Sequence, residues 1–171
     1  MDMRAVSYLR LLLVLPPVLL GSSGVNASDE GALATLHRYS TALTDNDCET
    51  MYALTSDAIK RREKAHEFRD LICQTVPKWH RAYMHETLAA PLAMLVDGKR
   101  RVLFVPARRE SIEPPNRAIS EFTYLVHSND GGKTWRVLDL GCVDERWVKE
   151  IFPKYKGAPP IHAAQMRFEP L

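Results

Sequence analysis

The pattern of hydrophobic and polar positions changes near Pro77, and this change divides the chain into two halves. Before it, apolar residues recur every three to four positions, as on the buried face of a helix, and predict three helices: residues 31–44, residues 47–54, and one from Ser56-Asp57 to Pro77. After it, apolar and polar residues alternate, which predicts four strands: residues 86–96, 101–109, 119–128 and 134–142. Helices followed by strands predict an α+β domain, with the three N-terminal helices on a curved four-stranded antiparallel sheet.

The last two predicted strands form the most distinctive stretch, a β-hairpin over Ala118–Cys142 with its turn at residues 129–132. Residues 128–135, SNDGGKTW, also match the Asp-box pattern S-x-D-x-G-x-T-W, whose repetition is typical of β-propellers. The pattern occurs once, and no blade-length period accompanies it. We therefore interpret it as a stabilised hairpin turn, in which the Asp130 carboxylate accepts hydrogen bonds from nearby backbone N–H groups and Trp135 packs over the hairpin.

Two segments carry a resemblance to a known family. DNDCETMYALTSDAIKRREKAHEFRDLI, at residues 45–72, resembles the second and third helices of the NTF2-like superfamily (SnoaL and ketosteroid-isomerase-like). DGGKTWRVLDL, at residues 130–140, resembles its last strand. The similarity covers most of residues 31–143 and implies a conical pocket closed by helices and sheet. It also implies pairing through the outer sheet face, so a homodimer through the sheet is expected.

The chain divides into three parts on composition. Residues 1–27 have a basic start, a ten-residue apolar core (LLLVLPPVLL) and a small polar end, which predicts a secretory signal peptide. Its apolar run is too short for a mature membrane span, so no stable membrane insertion is expected after cleavage; an uncleaved anchor is the alternative. Residues 28–156 form the predicted domain, and residues 157–171 a tail that is ordered only if it docks. The expected location is periplasmic or extracellular.

Charge and motifs exclude several function classes. The 23 basic and 21 acidic residues become 21 and 20 once residues 1–27, with two basic residues and one acid, are removed. A nearly neutral chain has no electrostatic footprint for nucleic acid, and its basic clusters, Arg108-Arg109 among them, have acids nearby and predict a solvated surface. The sequence contains no phosphate-binding loop and no nucleophile elbow, so no cofactor is predicted.

The three cysteines are Cys48, Cys73 and Cys142. An exported protein can keep one pair as a disulfide, and we favour Cys48–Cys73 because it closes the shorter loop within the helical half. The alternative is three buried thiols. No Cys-x-x-Cys is present, and the spacing of His80, His85 and Glu86 is too weak to indicate a metal site, so the two histidines are expected at the surface.

Three hypotheses for function remain, in this order. The first is a non-catalytic binding or accessory module that holds a small apolar ligand in the conical pocket, lined by Tyr52, Phe68, Tyr124 and Trp135. The second is a protein-interaction module that uses the outer sheet face or the tail at residues 157–171. The third is an enzyme of the isomerase or lyase type, with Asp139 as general base if its strand face points inward. The tyrosine and two acids of the family's isomerases do not map onto this chain, which counts against the third hypothesis.

Overall fold

The computed structural model describes residues 27–62, 64–68, 84–141 and 164–171. They form an α+β fold in which a helical N-terminal region precedes an antiparallel six-stranded sheet. The helices are α1 (Ala27–Asp45), α2 (Cys48–Leu54), α3 (Asp57–Arg62) and α4 (Ala65–Phe68). The strands are β1 (His85–Leu88), β2 (Ala93–Asp97), β3 (Arg100–Glu113), β4 (Asn116–Ser128), β5 (Arg136–Asp139) and β6 (Gln165–Pro170).

Helix α1 buries one apolar stripe, which includes Leu36, Tyr39 and Leu43, as the helical periodicity predicts. The helix ends at Asn46, whose φ of 61° is the left-handed conformation common after a helix C-terminus. Asp47 caps α2: its Oδ1 accepts a 3.0 Å hydrogen bond from the Thr50 backbone N–H.

A long β3–β4 hairpin organises the sheet, paired from Arg101 opposite Ser128 to Glu113 opposite Asn116. Four short strands flank it. Strands β1 and β2 pair with successive segments of β3, and β5 and β6 pair with successive segments of β4. Within the described residues, neither Pro106 nor the opposite residue Thr123 belongs to a second ladder, so β3 and β4 are the two ladder strands at this level, although the Pro106 carbonyl accepts a 2.9 Å hydrogen bond from the Ala89 N–H. We call this level the waist.

The prediction of four strands is wrong in two places. The segment predicted as one strand, residues 86–96, forms β1 and β2, separated by residues 89–92, because Pro91 cannot donate to a ladder. The segment assigned to a tail contributes β6, which pairs with β4. The structure also has four helical segments rather than three in the described residues, since α3 ends at Arg62.

Both faces of the central hairpin are buried. On the inner face, the Tyr124 ring packs edge-on against Tyr39 of α1, with the ring centroids 6.0 Å apart. On the outer face, Leu125 and Phe104 are buried as well. The alternation that defines an ordinary half-exposed strand is therefore absent from this part of β4.

The Asp-box segment forms the connection from β4 to β5, which confirms the interpretation as a turn. Asp130 Oδ1 accepts hydrogen bonds from the backbone N–H groups of Lys133 and Thr134, and its Oδ2 accepts one from the Thr134 hydroxyl at 2.6 Å. The hydrogen bond from the Thr134 side chain, with the others in the turn, holds the pKa of Asp130 well below its usual range. Gly131 and Gly132 supply the positive φ angles that the turn requires.

Several sequence predictions fall outside the described residues. They include residues 1–26 of the predicted signal peptide, Cys73, His80 and Cys142. Cys48 forms a disulfide, but both candidate partners lie outside the described residues, so the Cys48–Cys73 pairing stays a prediction. Within the described residues, no helix has the length and hydropathy needed to cross a membrane.

Candidate functional site

Four strands bring four polar side chains together on the inner face of the sheet. We call Glu86, Arg109, Tyr124 and Asp139 the inner cluster. The Arg109 guanidinium donates hydrogen bonds to Glu86 Oε2 (3.0 Å), to the Tyr124 hydroxyl (2.7 Å) and to Asp139 Oδ2 (3.0 Å). The Tyr124 hydroxyl donates to Glu86 Oε2 at 2.9 Å. Helix α1 joins the cluster through Ser40, whose hydroxyl donates to Glu86 Oε1 at 2.6 Å.

Strand register explains how residues distant in sequence meet here. Glu86 lies directly opposite Arg109, and Tyr124 lies directly opposite Asp139, so each pair shares a face. The two pairs lie on opposite sides of the waist, because the partner of Arg109 on β4 is Ser120, four residues or about 13 Å before Tyr124. The Arg109 side chain spans this distance, and its guanidinium carbon lies 4.6 Å from the centroid of the Phe122 ring.

The inner cluster is almost fully removed from solvent. The exposed fractions of the side chains are 2% for Glu86, 4% for Asp139 and 14% for Arg109. Burial raises the pKa of Tyr124 well above its ordinary value, and the Asp139 charge raises it further. Tyr124 is therefore a neutral hydrogen-bond donor at physiological pH.

The geometry does not favour Asp139 as a general base. Its Oδ2 accepts from Arg109, and its Oδ1 accepts from the Gly141 backbone N–H at 2.7 Å. Both oxygens thus accept hydrogen bonds inside the protein, and the side chain is 4% exposed. The cluster is suited to holding the two sides of the waist together rather than to moving a proton.

Sequence reasoning found only part of this cluster. The alternation of side chains between the two faces of a strand correctly grouped Tyr124 with Trp135 and Asp139. That face points inward. The interpretation of Arg109 as part of a solvated basic cluster is wrong, and the buried position of Glu86 was missed, since their side chains are 14% and 2% exposed. The same alternation was the signal in the sequence that could have identified Arg109, because it lies on the opposite face of β3 from Arg108 and Glu110.

The residues predicted to line a conical pocket have different surroundings. Tyr124 and Trp135 are buried against α1, and a Cβ added to Gly31 would lie 3.1 Å from Trp135 Nε1. Tyr52 is half-buried, with the Lys60 ammonium 5.5 Å from its ring centroid. The side chain of Phe68 lies outside the described residues.

An open cleft of about 830 Å³ lies on the outer face instead, and none of Tyr52, Tyr124 and Trp135 lines it. Its floor is the waist, where Pro106 and Thr123 face each other. Apolar residues around the floor include Ala89 and Leu92, from the segment between β1 and β2. Polar side chains surround it: His85, Thr87, Arg108, Glu110, Glu121 and Gln165.

A chain of ion pairs borders this cleft on the side of β6. Its members, which we call the charged rim, are Arg108, Glu110, Arg117, Glu169, Arg167 and Glu121, paired in that order at N···O distances between 2.6 and 3.5 Å. They surround Ile119, which is fully buried. The three positive and three negative charges balance, so the border of the cleft has no net charge.

Ser56 and His127 form a second buried polar pair, with 3.0 Å between Ser56 Oγ and His127 Nε2. Burial lowers the pKa of His127 to about 4, and the nearby Arg136 charge lowers it while Asp57 opposes. A serine beside a neutral histidine is the arrangement of a nucleophile and its base, but Ser56 has no exposed surface from which to reach a substrate. We assign the pair to fold stability.

A close approach of the backbone at Gly141 provides a test of the packing around the inner cluster. A Cβ at this position would lie 2.8 Å from Asp139 Oδ1 and 3.2 Å from Arg109 Nη1. We expect Gly141→Ala to lower the free energy of unfolding by about 1–3 kcal/mol, because the methyl group displaces buried, hydrogen-bonded atoms. Urea unfolding measures this change, and an unaltered midpoint would contradict the close approach.

No group of three or more histidine, cysteine, aspartate or glutamate side chains in the described part of the chain could hold a metal ion. Comparison with known proteins identifies no relationship: no protein-family model matches the chain. No curated protein and no solved structure matches it either. The inner cluster and the outer cleft are therefore the features from which a function can be inferred.

Proposed function

We propose that this chain is a non-catalytic binding module that holds a small, uncharged, largely apolar ligand in the outer cleft. The observation that carries the proposal is the cleft itself. Its volume of about 830 Å³ lies in the range of small-molecule sites, roughly 300–1,000 Å³. Its apolar floor and polar border match the usual composition of such sites.

The charges support an uncharged ligand. Arg108 and Glu110, which both line the cleft, form an ion pair at 2.6 Å, so neither offers an uncompensated charge to a ligand. Apolar contact with Leu92 and Pro106 would supply affinity, while Thr87 and Gln165 could orient a polar group of the ligand.

Two further parts of the proposal extend beyond the cleft. One is membership of the NTF2-like superfamily, supported by the order of helices and antiparallel strands. The ligand then occupies the outer cleft instead of the conical pocket of that family. The other is export to the periplasm or the extracellular space, supported by the disulfide at Cys48, since disulfides persist in oxidising compartments.

Nile red, an uncharged apolar fluorophore, tests the binding site. We expect saturable binding to the wild-type chain with enhanced fluorescence, and at least about tenfold weaker binding to Thr87→Trp, equivalent to about 1.4 kcal/mol. Thr87 is an exposed strand residue on the cleft wall, so tryptophan there fills the cleft without entering the core. Native mass spectrometry of protein from its own source would report a retained ligand.

Val96→Trp is the matched control, because Val96 is an exposed residue of β2 that does not line the cleft. This variant should bind Nile red as the wild type does. Equal binding by Thr87→Trp would place the site elsewhere, and absence of binding to the folded wild type would overturn the proposal.

A further inference from the structure

Strand β6 leaves two large apolar side chains in solvent at an edge of the sheet. Met166 and Phe168 are 60% and 57% exposed, although both belong to a regular strand. In the described part of the chain β6 pairs with β4 alone. An edge strand with exposed apolar residues is a template for pairing with another strand.

One hydrogen bond shows which backbone N–H and C=O groups of β6 point toward β4 and which point toward the open edge. The Leu171 N–H donates to the Pro115 carbonyl at 3.2 Å, so Leu171 belongs to a hydrogen-bonded pair of the β4–β6 ladder. Such pairs alternate along an antiparallel ladder, so Arg167 and Glu169 also direct their backbone groups toward β4. Met166 and Phe168 direct theirs toward the open edge.

We propose that two copies of this chain associate through β6, with the strands antiparallel and Phe168 opposite the partner's Phe168. In this register the two Phe168 residues exchange both backbone hydrogen bonds. The Met166 N–H donates to the carbonyl of the partner's Pro170, and because proline has no N–H, this pair makes one hydrogen bond instead of two at each end of the ladder. The exposed Phe168 side chains meet across the two-fold axis on the inner side of the sheet.

Charge complementarity selects this register and identifies the occupant as a second copy. Centring on Phe168 places Arg167 opposite the partner's Glu169, and Glu169 opposite the partner's Arg167, in non-hydrogen-bonded pairs where side chains are closest. Both residues already belong to the charged rim, so the ion-pair chain continues from one protomer into the other. Centring on Arg167 instead would oppose two arginines, which is destabilising.

Pairing in this way makes one continuous sheet from two. Residues opposite each other in a ladder share a face, so the outer clefts of both protomers open on the same side. The association does not depend on ligand binding, and it uses the edge of the sheet rather than its outer face.

Reciprocal charge reversal tests the proposal. Arg167→Glu and Glu169→Arg each place like charges opposite each other in a homodimer, so we expect each variant alone to shift toward monomer in sedimentation equilibrium, by at least about fivefold in the dissociation constant. A mixture of the two variants restores opposite charges at every pair, and we expect it to form a heterodimer of wild-type affinity. Native mass spectrometry distinguishes the heterodimer by its mass.

Lys99→Glu, a charge reversal at the exposed turn between β2 and β3, is the matched control and should leave the dissociation constant unchanged. Hydrogen exchange gives a second readout: the amides of Met166 and Phe168 should gain protection as the dimer forms. A wild-type chain that stays monomeric at high concentration would overturn the proposal. So would a dimer that both variants retain, or a mixture that does not recover association. Monomeric protein whose Phe168 amide is protected by a different bound polypeptide would overturn the choice of a second copy.

Discussion

Replacing Arg109 with methionine is expected to lower the free energy of unfolding by about 3–5 kcal/mol. Methionine has a similar length and keeps the apolar contact with Phe122, but it leaves Glu86 and Asp139 buried without their shared cation. A buried charge without a partner retains its full desolvation cost. Since small domains are stable by only roughly 5–15 kcal/mol, this single change removes a large part of the total. Urea unfolding of the purified chain measures the loss.

Two comparisons separate the loss of a charge pair from a general packing defect. Adding Glu86→Gln and Asp139→Asn to Arg109→Met removes the unpaired charges, so the triple variant should recover part of the lost stability. Arg108→Met is the matched control: Arg108 is the neighbouring arginine, but its side chain is 42% exposed in the charged rim, against 14% for Arg109, and its loss should have a smaller effect. A triple variant less stable than Arg109→Met would contradict the charge argument.

The wild-type chain is expected to lose stability as the pH falls from about 6.5 to about 4, because His127 is buried in its neutral form. The unfolded chain binds a proton near pH 6.5, whereas the native chain binds it only near pH 4. Across this window the unfolded state holds the additional proton, so protonation favours unfolding. The full pKa shift corresponds to a loss of roughly 3 kcal/mol in the free energy of unfolding. The contribution of His127 does not change with pH above about 6.5, and no further loss from this group occurs below about pH 4.

His127→Gln tests this expectation because the glutamine amide can keep the bond to Ser56 Oγ but does not titrate. The difference in unfolding free energy between pH 7 and pH 4.5 should be smaller in this variant than in the wild type. His37→Gln, at an exposed position of α1, serves as the control and should retain the wild-type profile. An identical pH dependence in wild type and His127→Gln would show that another group is responsible.

The fold class and much of the sheet were predictable because they depend on interactions between residues that are close in the sequence. The helical stripe of α1, the Asp97-Gly98 turn and the Asp130 turn each depend on residues within a few positions of one another. Strand β6 was not predictable in this way. Its partners on β4 lie more than forty residues earlier, and the pattern QMRFEP has no buried residue to mark a strand.

The inner cluster was only partly predictable for a related reason. The alternation of side chains along the strands places Asp139 beside Tyr124. No feature of the sequence around Arg109 indicates that its side chain extends across the waist to reach them. Arg108 and Arg109 are identical neighbours in the sequence. In the structure, the Arg108 side chain belongs to the charged rim, whereas the Arg109 side chain lies in the core. The alternation of side chains along β3 places the two on opposite faces, but which of these faces packs against α1 is a tertiary property.

The waist also has a consequence for how the native state opens. The ladders of β1 and β6 lie on one side of the Pro106–Thr123 level, and those of β2 and β5 on the other. Among the described residues, β3 and β4 are the strands whose ladder continues across this level, where the Pro106 carbonyl also accepts a 2.9 Å hydrogen bond from the Ala89 N–H. We therefore expect one end of the sheet to open locally more readily than the whole sheet, and we expect the Arg109 side chain, bonded to Glu86 on one side and to Asp139 on the other, to oppose that opening.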